Sequence, residues 1–422
     1  MTEQDTERQS GLKPSLSLFD ASAVSVGAII GAGIFVVTGI AAGYAGSALV
    51  VSMIIAAIIA SLTTLSLAEL TAWQPREGGI YEYTYQLVSP FAGFLTGWMW
   101  IVSNTFAGAA VSLGFAHYLT ALFPSLSVNL VAAVLCIAFT ALNYYGVRQS
   151  AVINNFLVIT KLLVLAFFII FGLAFMNTTN FAPFAPLQVG VFYGASYIFF
   201  AYGGFARVAV IAEEVKDAKK NVPKAMLLSL LISTLFYILV GLIAVGLVGA
   251  NRLAGSDSPL REAISVSGNA FAVYIVSIGG LLATASVLLT SVLGVSRMAY
   301  AMARRKDLPE AFIKLHPKHV TPYYSIWIVG ILMALFVLFI NLSRVVAIST
   351  FALLFYYALA NLSALNLKAE KRLYPRLVPV LGILTCLALF AFIPYEAIII
   401  GAIGLIGGAV YYAIKISVRK RQ

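Results

Sequence analysis

The chain reads as an all-α membrane protein of twelve transmembrane helices, the first and sixth broken, and three observations lead there. Hydrophobic residues make up 61% and charged residues 10%, with a mean hydropathy of +0.97. A soluble domain carries about 25% charged residues, so this composition belongs in lipid. Apolar runs recur along the whole chain, most of them near the roughly 20 residues that a helix needs to cross a bilayer core. Two of those runs carry clustered glycines, each costing a helix interior about 1 kcal/mol relative to alanine. An opened backbone in hydrocarbon is tolerated only where protein buries it or a watery cavity meets it.

In chain order, residues 1–17 form a polar tail without the apolar core or cleavage site of a signal peptide. One membrane domain, 18–416, follows, and 417–422 is a second tail. Its spans run about 18–42, 47–72, 89–119, 126–146, 150–175, 188–212, 225–249, 269–302, 323–341, 344–367, 376–394 and 396–416. The third and eighth are long enough to tilt. The breaks are Gly27-Ala28-Ile29-Ile30-Gly31-Ala32-Gly33-Ile34-Phe35 in span one and Phe200-Ala201-Tyr202-Gly203-Gly204-Phe205 in span six. They lie five spans apart, and a unit of five spans enters the membrane from opposite sides in its two copies. Spans 1–5 (about 18–175) and 6–10 (about 188–367) are therefore read as a 5+5 inverted repeat, with two C-terminal helices (about 376–416) appended. Close packing through small residues is the competing reading of the glycines.

Orientation follows from the basic residues. With the N-terminus inside, cytoplasmic segments hold 21 Lys and Arg against 3 outside, namely Arg252, Arg261 and Arg344; Lys161, Arg207 and Arg297 fall within the spans. The positive-inside rule then places both termini in the cytoplasm of a multi-pass cell-membrane protein. The net charge of +11 is spread over short loops, so it calls for no nucleic acid. The lysine run 216–224 is a solvated face beside anionic lipid. Cys136 and Cys386 sit in separate apolar spans, which implies neither a disulfide nor a metal site. His117, His316 and His319 form no catalytic or metal pattern, no ion-selectivity filter is visible, and no phosphate-binding G-x-x-x-x-G-K-[ST] occurs. Enzyme, channel and ATP-driven pump are set aside, and no cofactor is expected.

Four motifs in order make the chain resemble the amino acid–polyamine–organocation superfamily of amino acid permeases. Gly27 to Phe35 is similar to the family's G-x-I-I-G-x-G-I-F. Ala68-Glu69-Leu70 with Pro75-Arg76-Glu77-Gly78-Gly79-Ile80-Tyr81 resembles its E-L-x(n)-P-x-x-G-G-x-Y junction. Phe200 to Phe205, followed by Glu213-Glu214-Val215-Lys216 through Pro223, resembles its sixth span and the loop after it. Ser296-Arg297-Met298-Ala299-Tyr300 with Leu308-Pro309 resembles the end of its eighth. The resemblance implies the leucine-transporter-like fold and an amino acid or related amine as cargo. The position after Phe205, acidic in many members, is Ala206 here, and the small hydroxyl often found between Gly31 and Gly33 is Ala32.

A zwitterionic amino acid needs donors for its carboxylate and acceptors for its ammonium, and a broken helix supplies both. The candidate substrate-binding residues are Ile29, Ile30, Gly31, Ala32, Gly33, Phe200, Ala201, Tyr202 and Gly203. The amides of Gly31, Ala32 and Gly33 would take the carboxylate; the carbonyls of Ile29, Phe200, Ala201 and Gly203 would take the ammonium. The resemblance makes Phe200 a lid. Lys161 lies about 12–16 Å along the fifth span, and a lysine at such depth is a functional group by default. The resemblance implies that its ammonium stands where related carriers hold a sodium ion, which makes it the candidate proton carrier. Gly27, Thr284 and Ser286 are its expected partners, and a snorkelling lysine is the competing reading. Glu69 and Arg207 read as gate or ion-pair residues as much as substrate contacts, and Arg297 as an orientation marker. The expected activity is import of amino acids by proton symport with alternating access. The alternatives are an amino acid exchanger of the same fold or a carrier of polyamines or other amines. Monomer or weak homo-oligomer is the expected state, with protons and membrane lipid as the further partners.

Overall fold

Ser17 starts the first helix with a capping box: its Oγ accepts from the Asp20 amide at 3.2 Å, and the Asp20 carboxylate accepts from the Ser17 amide at 2.9 Å. That helix, α1 (Leu18–Ile29), ends where Ile30 turns extended (φ −78°, ψ 95°), and the chain re-enters as a five-residue π-helix, Gly33–Val37, before α2 (Thr38–Ala45). The computed structural model describes residues 14–76, 78–146, 151–319 and 321–419. Most of the expected tails, 1–13 and 420–422, lie outside these residues, as do Glu77 of the junction motif and Arg148.

The remaining helices are α3 (Leu49–Trp73), α4 (Ile80–Leu87), α5 (Pro90–Leu122), α6 (Val128–Tyr144), α7 (Ala151–Leu173), α8 (Val189–Tyr202), α9 (Arg207–Val210) and α10 (Ala218–Ala254), followed by α11 (Pro259–Ser265), α12 (Ala270–Arg304), α13 (Tyr323–Phe339), α14 (Leu342–Leu365), α15 (Leu377–Phe390) and α16 (Tyr395–Arg419). Among the described residues no β-strand forms; Leu16 and Val215 make one isolated bridge. The protein is thus an all-α membrane protein. Among the described residues eight segments are long and apolar enough to cross a bilayer, the first of them, Leu18–Trp73, being 56 residues that turn at Gly46. Helices α6, α13 and α15 are apolar but shorter than a full crossing.

Large apolar side chains stand exposed on the outer helices, among them Phe156, Leu163 and Ile170 on α7 and Ile403 and Ile406 on α16. Such a surface suits hydrocarbon rather than water. Inside, α3 packs along α10 and α8, while α5 packs along α12 and α14. Of the two interrupted elements, α1 packs against α10 and α7, and α8 against α3, α2 and α14.

Polar ties gather at the two ends of the bundle. At the end bearing Ser15, Tyr81 donates to Asp307 at 2.6 Å, Lys415 pairs with the same carboxylate at 2.5 Å, and Arg305 pairs with Glu82. Glu69, weighed above as a gate or substrate residue, is fully buried at this end. It accepts the amides of Leu373 and Tyr374 at 2.5 and 3.1 Å, so it anchors a loop. The opposite end holds Arg252 paired with Glu262 and Arg344 paired with Glu396.

Candidate functional site

The two breaks touch through backbone. A Cβ on Gly204 would lie 2.3 Å from the Ala28 carbonyl carbon and 2.5 Å from the Ile29 nitrogen, and one on Gly33 would lie 2.3 Å from the Ala201 Cβ. No real Cβ tolerates such distances. The glycines at these positions therefore serve close helix approach as well as an opened backbone, and the packing reading of the sequence was correct as far as it went.

Tyr237 on α10 stitches the breaks together: its hydroxyl lies 2.7 Å from the Ile29 carbonyl and 3.1 Å from that of Ala201. The Tyr357 hydroxyl donates to Gly203 O at 3.0 Å, and the Gly203 amide donates to Phe200 O at 3.0 Å. The carbonyls of Phe200 and Gly203 thus each have a protein donor, while those of Ile29 and Ala201 share the single Tyr237 O–H proton. Nothing in the sequence marked these two tyrosines among 21. Tyr237→Phe should leave both carbonyls short of a donor and lower stability by about 1–3 kcal/mol. Thermal unfolding in detergent reads this directly, and an unshifted Tm would show that the hydroxyl is dispensable.

A small cavity of about 40 Å³ opens beside the breaks, lined by Ile29, Gly31, Ala32, Gly33, Phe200, Ala201 and Gly203. Of the expected substrate residues, Ile30 and Tyr202 do not line it. The Ile30 side chain is buried and its carbonyl points to Lys161; Tyr202 is buried with its ring 5.1 Å from that of Tyr237. Both sit on the far side of their break, because one helical turn cannot present every residue to one cavity. The cavity gains Ser103 and Asn104 from α5, Val287 from α12, and Ser349, Leu353 and Tyr356 from α14. Asn104, an amide inside an apolar helix, was the one of these that sequence could have flagged.

A larger cavity of about 410 Å³ meets the first at Ala28 and Arg207 and reaches Ser15, Leu16 and Arg297. At its mouth Arg297 pairs with Glu214 at 3.4 Å, which gives Arg297 a structural partner beyond its place in the topology. Toward the opposite end the elements pack closely. Tyr118 donates to the Phe35 carbonyl at 2.7 Å, and Gly39 lies against the carbonyls of Leu253 and Ser256. The larger cavity thus reaches the breaks from the Ser15 end.

Lys161 is 1% exposed on α7. Its Nζ donates to the carbonyls of Gly27 and Ile30, both at 3.1 Å, at the point where α1 ends. Gly27 is where it was expected and Ile30 is an added partner. Thr284 and Ser286 are not partners: their hydroxyls donate back to Gly280 and Ala283 within α12, as buried hydroxyls on helices commonly do. Asn155, also on α7, donates to Asp20 at 2.7 Å, so two contacts fasten α7 to α1.

A profile of the amino acid permease family matches residues 16–414. The chain is 32% identical to the branched-chain amino acid permease BcaP of Bacillus subtilis, over 96% of this chain and 94% of that one. It is 31% identical to the methylthioribose transporter of the same species, over 86% and 83%. The cationic amino acid transporter 4 of the mouse is 30% identical over 87% of this chain and 62% of its own.

Proposed function

The chain belongs to the amino acid permease family, and from that premise we propose that it is a secondary active transporter importing amino acids with protons by alternating access. It resides in the cell membrane with both termini cytoplasmic and crosses twelve times, with spans 1–5 and 6–10 as inverted repeats. The breaks at Ile30 and Gly203, one in each proposed repeat, support that arrangement. The observation that carries proton coupling is the Lys161 ammonium, bonded to two carbonyls at the α1 break beside the cavity. This ammonium is held by backbone oxygens as an inorganic coupling ion would be, and it loses its charge by releasing a proton while the amine stays in place. The cavity opening toward the basic Ser15 end supports a cytoplasm-facing state. The amino acid's carboxylate would lie against the amides at the start of the π-helix, and Phe200 would cover it. A single chain encloses the whole site.

The test is uptake of labelled amino acids into proteoliposomes with and without an inward proton gradient. One proton per substrate and about one pH unit support up to a roughly tenfold accumulation. Accumulation of that order, absent at equal pH, is the expected result. Uptake that occurs only into vesicles preloaded with amino acid, and ignores pH, overturns symport in favour of exchange.

A further inference from the structure

Arg207 sits where the central cavity and the larger one meet, and among the described residues it is the one charged side chain lining the central cavity. Its guanidinium carries five N–H donors. Two bonds go to neutral hydroxyls, Nη1 to Thr290 Oγ1 at 2.6 Å and Nη2 to Ser291 Oγ at 2.9 Å. Among the described residues no carboxylate pairs with it: Glu214, the acid lining the larger cavity, pairs with Arg297 at 3.4 Å. The other buried cation of the breaks, Lys161, is held by the carbonyls of Gly27 and Ile30. Arg207 is half-buried, and a partly desolvated charge without a counter-charge is incompletely compensated. Among the described residues the lining of the central cavity thus carries one cation, Arg207, and no carboxylate.

Size adds a second argument. A cavity of about 40 Å³ holds a few water molecules, so an amino acid bound at the breaks must extend across the boundary and rest on Arg207. We propose that Arg207 is a specificity-determining residue that makes this site prefer amino acids with an acidic side chain. The α-carboxylate meets the amides of the π-helix, and the side-chain carboxylate pairs with the guanidinium. Planar Arg–carboxylate pairing is directional as well as strong. The same guanidinium rejects lysine-like and arginine-like side chains by like-charge repulsion.

This inference rests on the transporter reading, and the experiment separates the two. Aspartate and asparagine have nearly one shape and differ in charge, so their ratio isolates the pairing. Uptake of labelled aspartate, asparagine, leucine and lysine is measured in proteoliposomes of the unmodified protein, Arg207→Gln and Arg207→Lys. The unmodified protein should favour aspartate over asparagine by about 10- to 100-fold, the range of a charge-assisted pair. Arg207→Gln should bring that ratio near unity, while Arg207→Lys should keep part of it. Equal uptake of aspartate and asparagine by the unmodified protein overturns the inference and leaves the transporter reading standing. So does an Arg207→Gln protein that loses all substrates in equal proportion. If Arg207→Gln does not fold, the ratio in the unmodified protein decides. If no amino acid enters under any condition, the transporter reading fails and takes this inference with it.

Discussion

Lys161→Ala should yield a folded protein whose uptake no longer responds to a pH gradient. The ammonium holds the carbonyls of Gly27 and Ile30, both at 3.1 Å. Hydrogen bonds to a charged group contribute about 1.5–3 kcal/mol each, against about 0.5–1.5 for a neutral donor. Protonated Lys161 therefore clamps the end of α1 to α7, and loss of the proton weakens the clamp. An equilibrium between two access states shifts only by the difference in affinity for the proton in each, so removing the amine removes the proton's leverage. Exchange of one amino acid for another needs no net proton movement and should survive. The measurement is counterflow alongside gradient-driven uptake in the same proteoliposomes. A Lys161→Ala protein that still accumulates substrate in proportion to the pH gradient would exclude the lysine as the carrier. So would strong sodium-driven accumulation by the unmodified protein at equal pH, because the ammonium and a sodium ion compete for one place.

The second large effect is expected at the contact of the two breaks. Gly204→Leu would set a side chain against the backbone of Ala28 and Ile29, where a Cβ already falls at 2.3–2.5 Å. Backbone cannot swing aside as a side-chain tip does. The cost should exceed the about 1–3 kcal/mol typical of overpacking, forcing α1 and α8 apart and destroying the cavity between them. Gly33→Leu should act alike through Ala201. Simple obstruction of a ligand would leave stability intact, whereas the close approach seen here predicts a lowered Tm together with lost substrate binding. Gly407→Leu on α16 is the control, since a Cβ there meets nothing within 4 Å. Unchanged affinity in Gly204→Leu would place the substrate elsewhere.

Much of this was readable from residues in order. Apolar runs report membrane helices because lipid offers the backbone no hydrogen bonds, so the long helices fall within the apolar runs, whereas the short α4 and α11 lie in stretches read as connections. Clustered glycines report breaks because they weaken a helix locally, and both breaks lie in their glycine-containing stretches, with Gly27 facing Lys161. These are properties of one segment at a time.

What the sequence could not decide was which side of each segment faces which neighbour. Ile30 and Tyr202 read as cavity residues and turned away from it, and Thr284 and Ser286 satisfied themselves within their own helix. Tyr237 and Tyr357 come from distant helices and looked like any other aromatic. The meaning of Arg207 changed most: near Glu213 and Glu214 in the chain, it instead bonds Thr290 and Ser291 across the bundle. Uniformly apolar helices have almost no polar face to set their rotation, so packing against neighbours sets it. The break positions were legible because glycine acts through its own backbone, whereas the partners of Lys161 and Arg207 depend on helix rotation, which only the assembled bundle determines.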